Sequence, residues 1–213
     1  MAVRDLPAVA GIEKLSFGTP WPASAYKREI EKNHLAYYTV AERTAFAGEP
    51  RRDPRFDLAD SNHAEADGML GRLARRLLGD GPRFLPEEAA QLETIVGYAG
   101  LWLMADAAHV TTIAVDPPYR GEGVGELLLI DLIDRSLVIG ADEVTLECRV
   151  SNYVAQALYR KYTFRNVGLR KRYYSDDGED AVIMTTDSLN SRNFGLVLAQ
   201  NRERLTQRMA ADA

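Results

Sequence analysis

The stretch from residue 109 to residue 140 constrains the fold more than any other. His109 to Val115 is rich in β-branched residues and predicts a strand. Gly123 to Ile139 carries Leu127, Leu128, Leu129, Ile130, Leu132, Ile133, Leu137 and Val138, apolar nearly all round, and predicts a helix buried against a sheet and closed by Gly140. Between them lies Asp116-Pro117-Pro118-Tyr119-Arg120-Gly121-Glu122-Gly123-Val124-Gly125. A strand that feeds a buried helix through such a loop implies a mixed α/β architecture with helices layered on a sheet. Glycines let backbone amides approach a ligand, and the free N–H groups and dipole at the following helix N-terminus suit a pyrophosphate. Taken alone, G-x-G-x-G is equally a tight turn. It is not a dinucleotide fingerprint, because the G-x-x-G spacing is missing, nor a P-loop, because no Gly-Lys-Ser/Thr follows.

The flanking pattern extends this core. Leu6, Val9, Ile12 and Leu15 predict a first helix from Asp5 to Ser16, ended by Thr19-Pro20-Trp21-Pro22; a second short helix runs to about Lys32 and a strand from His34 to Thr44. Ile95 to Met104 predicts the strand paired with His109 to Val115 through the short link Ala105 to Ala108. Downstream come a strand at Val144 to Val150, a helix at Asn152 to Tyr162, and strands at Phe164 to Tyr174 and Asp180 to Thr186 around Ser175-Asp176-Asp177-Gly178. Two segments stand apart. About 46–94 reads as a helical insertion, with a stripe of Ala66, Met69, Leu70, Leu73, Ala74, Leu77 and Leu78 backed by Arg72, Arg75 and Arg76, and 187–213 as a C-terminal helical extension that packs in cis or on a partner. Residues 1–186 are thus expected to form one domain.

Composition removes several function classes. With 26 Lys+Arg against 31 Asp+Glu, the net charge of -5 does not suit a protein that coats a polyanion, so direct nucleic-acid binding is not expected. No apolar run approaches the roughly 20 residues that span a bilayer, and the start lacks the basic flank and apolar run of a secretory signal. The lone Cys148 cannot form an intrachain disulfide, which together with the rest gives a cytoplasmic expectation. His34, His63 and His109 are isolated, without metal-ligand spacing, and are expected to be structural or surface residues; no metal is expected.

Arg120, Gly123 and Gly125, after a V-x-P turn, match the R/Q-x-x-G-x-G/A motif, and on these residues the chain resembles the GCN5-related N-acetyltransferase (GNAT) superfamily. Leu146-Glu147-Cys148-Arg149-Val150-Ser151-Asn152 with Ala157-Leu158-Tyr159, the stretch Tyr173-Tyr174 to Glu179-Asp180-Ala181, and Ile12-Glu13 with Pro20-Trp21 are similar to the RimI-type group, which acetylates the N-terminal alanine of a small-subunit ribosomal protein. The matches span about 1–45 and 95–186. The resemblance implies the GNAT fold and acetyl-CoA as cosubstrate. Its pyrophosphate would lie on the amides of Gly121, Glu122, Gly123, Val124, Gly125 and Glu126, and its pantetheine beside Ile113, Ala114 and Val115. It further implies Glu147 as general base, Tyr159 as the acid that protonates the leaving thiolate, and Arg120 and Asn152 as cofactor contacts.

Elementary chemistry is compatible with those roles. Strand alternation puts Val144, Leu146, Cys148 and Val150 on one face and Thr145, Glu147 and Arg149 on the other; without the resemblance Glu147 would read as a surface carboxylate paired with Arg149 or another base. Asn152 and Tyr159, seven residues apart, would share a helical face. An α-amine with a pKa near 7.7–8 costs only about 0.3–0.7 kcal/mol to deprotonate at pH 7.5, against roughly 4 kcal/mol for lysine, so a carboxylate serves an N-terminus more easily. Cys148 is expected to be a buried small hydrophobe. The acidic turn at Asp176, Asp177, Glu179 and Asp180 would attract a basic peptide, with Tyr173 and Tyr174 walling its backbone, or else be an ordinary solvated hairpin. Arg165, Arg170, Lys171 and Arg172 are expected chiefly to serve solubility.

Thr163 stands where the family has Gly, which costs on the order of 1–2 kcal/mol if the backbone is left-handed there, and Arg120 where many members have Gln. The rival expectations are a lysine or small-amine acetyltransferase and a non-catalytic acetyl-CoA-binding module, the last disfavoured by the presence of both Glu147 and Tyr159. The two extensions would reshape the acceptor groove or make a dimer contact.

Overall fold

A computed structural model describes residues 1–46, 91–104 and 106–211. The chain divides into Met1–Arg43 with Ile95–Ala213, and Thr44–Thr94. The helical stripe expected between Ala66 and Leu78, with its arginine face, lies outside the described residues.

The elements of the first unit run α1 (Leu6–Ser16), α2 (Ala23–Lys32), β1 (Ala36–Phe46), β2 (Gln91–Met104), β3 (Ala107–Val115), α3 (Val124–Val138), β4 (Glu143–Arg149), α4 (Tyr153–Lys161), β5 (Arg165–Arg170), β6 (Ala181–Thr185) and α5 (Arg192–Ala211). The outermost residues of β1 and β2 belong to the second unit. The strands form one mixed sheet in the order β1-β2-β3-β4-β6-β5. β2 and β3 are antiparallel with a bulge at Gly100/Leu101, β3 and β4 parallel, and β4 with β6 and β6 with β5 antiparallel.

Helices cover both faces. On one, Val9, Ile12 and Tyr26 of α1 and α2 pack on Tyr38, Tyr98 and Ala114. On the other, Leu128, Leu129, Leu132 and Ile133 of α3 and Phe194, Leu198 and Leu205 of α5 pack with Val110, Val144, Leu146 and Cys148. Strand alternation generates this division: in β4 the residues Val144, Leu146 and Cys148 are buried among α3 and α5, and Glu147 points to the side of α1 and α2. α3 lies between the sheet and α5, but its burial is not complete: Leu127 and Val138, counted in its apolar circumference, are exposed. Fully burying a leucine contributes about 1.5–3 kcal/mol, and Leu129→Ala would cost about 2–5 kcal/mol.

The connection after α4 is left-handed at Thr163, with φ 63°. The cost anticipated for a β-branched residue is therefore incurred, and it is partly offset because Thr163 Oγ1 accepts a 3.3 Å hydrogen bond from Asp187 N.

Candidate active site

The site begins with a division in the middle of the sheet. β3 runs from Ala107 to Val115 but pairs with β4 only over Ala107–Val110 against Glu143–Leu146. In the ladder with β2 the residue left unpaired is Thr111 of β3, and such a bulge bends the strand that carries it. From Thr111 on β3 and Glu147 on β4 the two strands have no ladder to each other, and β4 keeps only its partner β6. Interior strand edges present backbone donors and acceptors that water or a ligand satisfies. Ile113, Ala114 and Val115 lie on this open edge, with the Ala114 methyl turned into the cluster beneath α1 and α2.

The glycine loop stands at the end of that edge. Gly121 and Gly123 have φ of 88° and 92°, values that favour glycine, and Gly123 caps α3. Arg120 stiffens the loop: its Nε donates to Val115 O at 3.1 Å and its guanidinium reaches Ser16 Oγ at 3.3 Å. Val124, Gly125 and Glu126 form the first turn of α3, whose N–H groups have no acceptor within the helix. Glu122 is exposed and paired with Arg43 at 3.1 Å. The side chain of Glu126 has a role the sequence did not disclose. It is buried and bonded by Lys161, by Tyr162 Oη at 2.7 Å and by Arg208 at 3.1 Å. Burial pushes its pKa up, but the hydrogen bonds of Lys161 and Tyr162 and the charges of Lys161 and Arg208 outweigh that and hold the carboxyl below its ordinary value.

Glu147 occupies the point where β3 and β4 part. Its side chain is only 6% exposed, with Oε2 3.1 Å from His109 Nε2 and Oε1 3.1 Å from Arg170. Two expectations are corrected here: Glu147 is not a surface carboxylate, and Arg170 does not serve solubility alone but pairs with it. The base beside Glu147 is Arg170 rather than Arg149, and His109 is structural. The parallel register places His109 opposite Thr145, two residues before Glu147 on the same face. Arg170 arrives from the outer strand through the order β4-β6-β5.

Tyr159, on α4, sits on the other face, against the cluster that contains Cys148 and packed on Phe164 with ring centroids 5.6 Å apart. Burial, then the neighbouring Cys148 and Tyr174, pushes its phenol well above the ordinary value, so it holds its proton at neutral pH. Burial likewise pushes the Cys148 thiol up to about 11, which leaves it a poor nucleophile. Asn152 is the N-cap of α4, with Oδ1 accepting from Ala155 N at 3.1 Å.

Two loops border the Glu147 side. In the loop after β5, Asp176, Asp177 and Glu179 are bonded to Arg149 of β4, at 2.6, 2.9 and 3.0 Å, and that guanidinium lies 3.9 Å from the Tyr174 ring centre. Tyr173, largely exposed, packs edge-on against Tyr174. The acidic turn is thus an ordered structure built on one guanidinium. In the loop after α1, Trp21 N donates at 2.8 Å to Glu13 of that helix, which also accepts from Tyr26 Oη at 3.1 Å, and this holds Trp21 near Trp102. Among the described residues there is no cluster of three or more metal-ligating side chains, and no helix is long and apolar enough to cross a membrane.

Comparison with known proteins identifies the family. A Bacillus subtilis (strain 168) protein provisionally named a ribosomal protein bS18-alanine N-acetyltransferase is 32% identical over 184 residues, covering 86% of this chain and 90% of that one. The ribosomal protein bS18-alanine N-acetyltransferase of Escherichia coli (strain K12) is 38% identical over 106 residues, 49% of this chain and 72% of that one. The crystal structure of the ribosomal-protein-S18-alanine N-acetyltransferase from Escherichia coli superposes with a TM-score of 0.57 at 24% identity, covering 91% of this chain and 94% of that one, and shows the same fold. The family model described as acetyltransferase (GNAT) family matches residues 41–164. With its split mixed sheet, glycine-capped helix and these relatives, the chain belongs to the GNAT acetyltransferase family.

Proposed function

We propose that this protein is an acetyl-CoA-dependent N-acetyltransferase of the RimI type, acting on the α-amine of a protein N-terminus, with the alanine of a small-subunit ribosomal protein as the expected acceptor. The observation that carries this is the placement of a buried carboxylate, Glu147, and a protonated phenol, Tyr159, on opposite faces of the gap between β3 and β4. The gap fits the pantetheine arm, because the open edge at Ile113 to Val115 offers backbone partners and leads to the glycine loop. Asn152 would contact the arm with whatever bonding capacity its cap leaves.

Acetyl-CoA, when bound, supplies an acetyl thioester as the electrophile. Glu147 takes the proton of the incoming amine, held in place by His109 and Arg170. A backbone N–H near Ile113 stabilises the developing oxyanion. Tyr159 gives its proton to the departing sulfur. No covalent enzyme intermediate is needed, in keeping with the inert Cys148. Tyr173, Tyr174 and the Arg149-centred turn border the acceptor's approach on the Glu147 side. A cytoplasmic location is part of the same proposal.

The test is mass spectrometry of peptides incubated with the protein and acetyl-CoA, comparing an alanine-starting ribosomal peptide with an N-blocked copy containing lysine. Acetylation confined to the free α-amine is the expected result. Modification of lysine in the blocked copy would overturn the N-terminal assignment, and no transfer to either would overturn the acceptor class.

A further inference from the structure

The glycine loop is not left to itself in this protein. A Cβ placed on Gly123 would meet a terminal guanidinium nitrogen of Arg208 at 2.8 Å and Leu205 at 2.9 Å, so α5, the helix of the C-terminal extension, lies against the residue that caps α3. That helix is firmly seated: Phe194, Leu198 and Leu205 are buried, Asn201 Nδ2 donates to Lys161 O at 2.8 Å, and Arg202 pairs with Asp134 at 2.5 Å. Arg208 is therefore delivered to the loop by a rigid element, while its side chain remains 46% exposed.

The charges around the loop are unusual for an anion-binding turn. Asp116, Glu122 and Glu126 lie in it or beside it, and Glu126 occupies the first helical turn, where a phosphate would feel its repulsion. Glu122 is answered by Arg43. Glu126 is answered twice, by Lys161 and by Arg208. With Arg120 of the loop itself, four cations stand against these three carboxylates and leave one positive charge in surplus, and the half-exposed guanidinium of Arg208 is the one against Gly123.

We propose that Arg208 binds the phosphates of the CoA moiety, so that the C-terminal extension completes the cofactor site rather than serving only as packing. The pyrophosphate is the phosphate at hand, since it is the group the α3 N-terminus would hold. Glu126 keeps Arg208 aimed at the loop, and the guanidinium fork meets phosphate oxygens on its outer edge. The proposal rests on the acetyl-CoA assignment above.

Isothermal titration calorimetry of the full chain with CoA, dephospho-CoA and phosphate-free pantetheine tests it. Arg208→Ala is expected to weaken CoA about tenfold, to leave pantetheine unchanged, and to make CoA binding less sensitive to salt. Arg208→Lys should recover part of the loss. Arg202→Ala, which removes the same charge from the same helix away from the loop, should bind CoA as the parent does. An equal loss with dephospho-CoA supports the pyrophosphate contact; a loss seen only with CoA supports phosphate binding but moves it to the 3′-phosphate. Unchanged CoA affinity in Arg208→Ala, or an equal loss with pantetheine, would overturn the proposal and leave Arg208 a packing residue. Should Arg208→Ala fail to fold, the Arg208→Lys and Arg208→Gln pair decides by the same comparison. If the parent protein binds no CoA at all, it is the acetyl-CoA assignment itself that fails.

Discussion

Gly18 and Asp176 touch: a Cβ on Gly18 would fall 2.1 Å from Asp176 Oδ2. The loop after α1 and the turn between β5 and β6 therefore meet on the Glu147 side of the sheet, bordered by Trp21 and Tyr173. Gly18→Ala is expected to displace the acidic turn and raise KM for the peptide acceptor about three- to tenfold while KM for acetyl-CoA stays within twofold. Steady-state kinetics with each substrate varied in turn would show it; a rise in both constants would mean that the two loops do not define the acceptor's approach.

Glu147→Gln keeps the shape of the side chain and removes its basicity. Loss of a general base typically costs 10²–10⁴ in rate, and kcat/KM for the peptide should fall about that far. CoA affinity by calorimetry should stay within twofold. Turnover within threefold of the parent would exclude Glu147 as the base. Tyr159→Phe should lower kcat in the same assay with little change in KM for acetyl-CoA.

Acid stability should depend on Glu126. Its pKa is lowered in the folded protein, so its contribution is complete above the unfolded value near 4.5 and is lost as pH falls through the folded value. Glu126→Gln is expected to cost about 1–3 kcal/mol at pH 7, yet to make the decline of stability below pH 4.5 shallower. Denaturant melts from pH 7 to pH 3 measure both effects. A parallel decline in the two proteins would show that other carboxylates govern the acid limb.

Thr163→Asn should stabilise. Asparagine tolerates the left-handed backbone better than threonine, and its side-chain oxygen is able to accept from Asp187 N in place of Oγ1. A gain of about 0.5–1 kcal/mol in urea unfolding is expected, and a loss would mean that the threonine methyl contributes more by packing than the strained φ costs.

What the sequence revealed and what it withheld follow a physical line. The alternation of Val144 to Cys148 and the circumference of α3 are local periodicities, and they placed β4, its buried face and the sheet-facing helix correctly. The left-handed Thr163 was legible because a glycine was missing from a family pattern. Asn152 was misplaced by one residue: counting along a helix does not show where the cap falls, and the cap decided that its oxygen binds Ala155 N. His109 and Arg170 were not legible at all as partners of Glu147. One depends on the register of a parallel pair and the other on β6 being inserted between β4 and β5, and neither is encoded within any single segment. Glu126 was read only for its backbone, because its partners lie 35, 36 and 82 residues away.

The parting of β3 and β4 also bears on how turnover ends. Only four residue pairs join the halves β1-β2-β3 and β4-β6-β5 along the sheet, from Ala107↔Glu143 to Val110↔Leu146, and a pantetheine arm would take the place of the rungs that are missing beyond them. The acetyl group contributes nothing to those rungs. Spent CoA would then be gripped by the same backbone edge as the fresh cosubstrate, and the enzyme would have to undo a stretch of its own borrowed sheet once per cycle. Product departure would thus weigh on the pace of turnover alongside bond making.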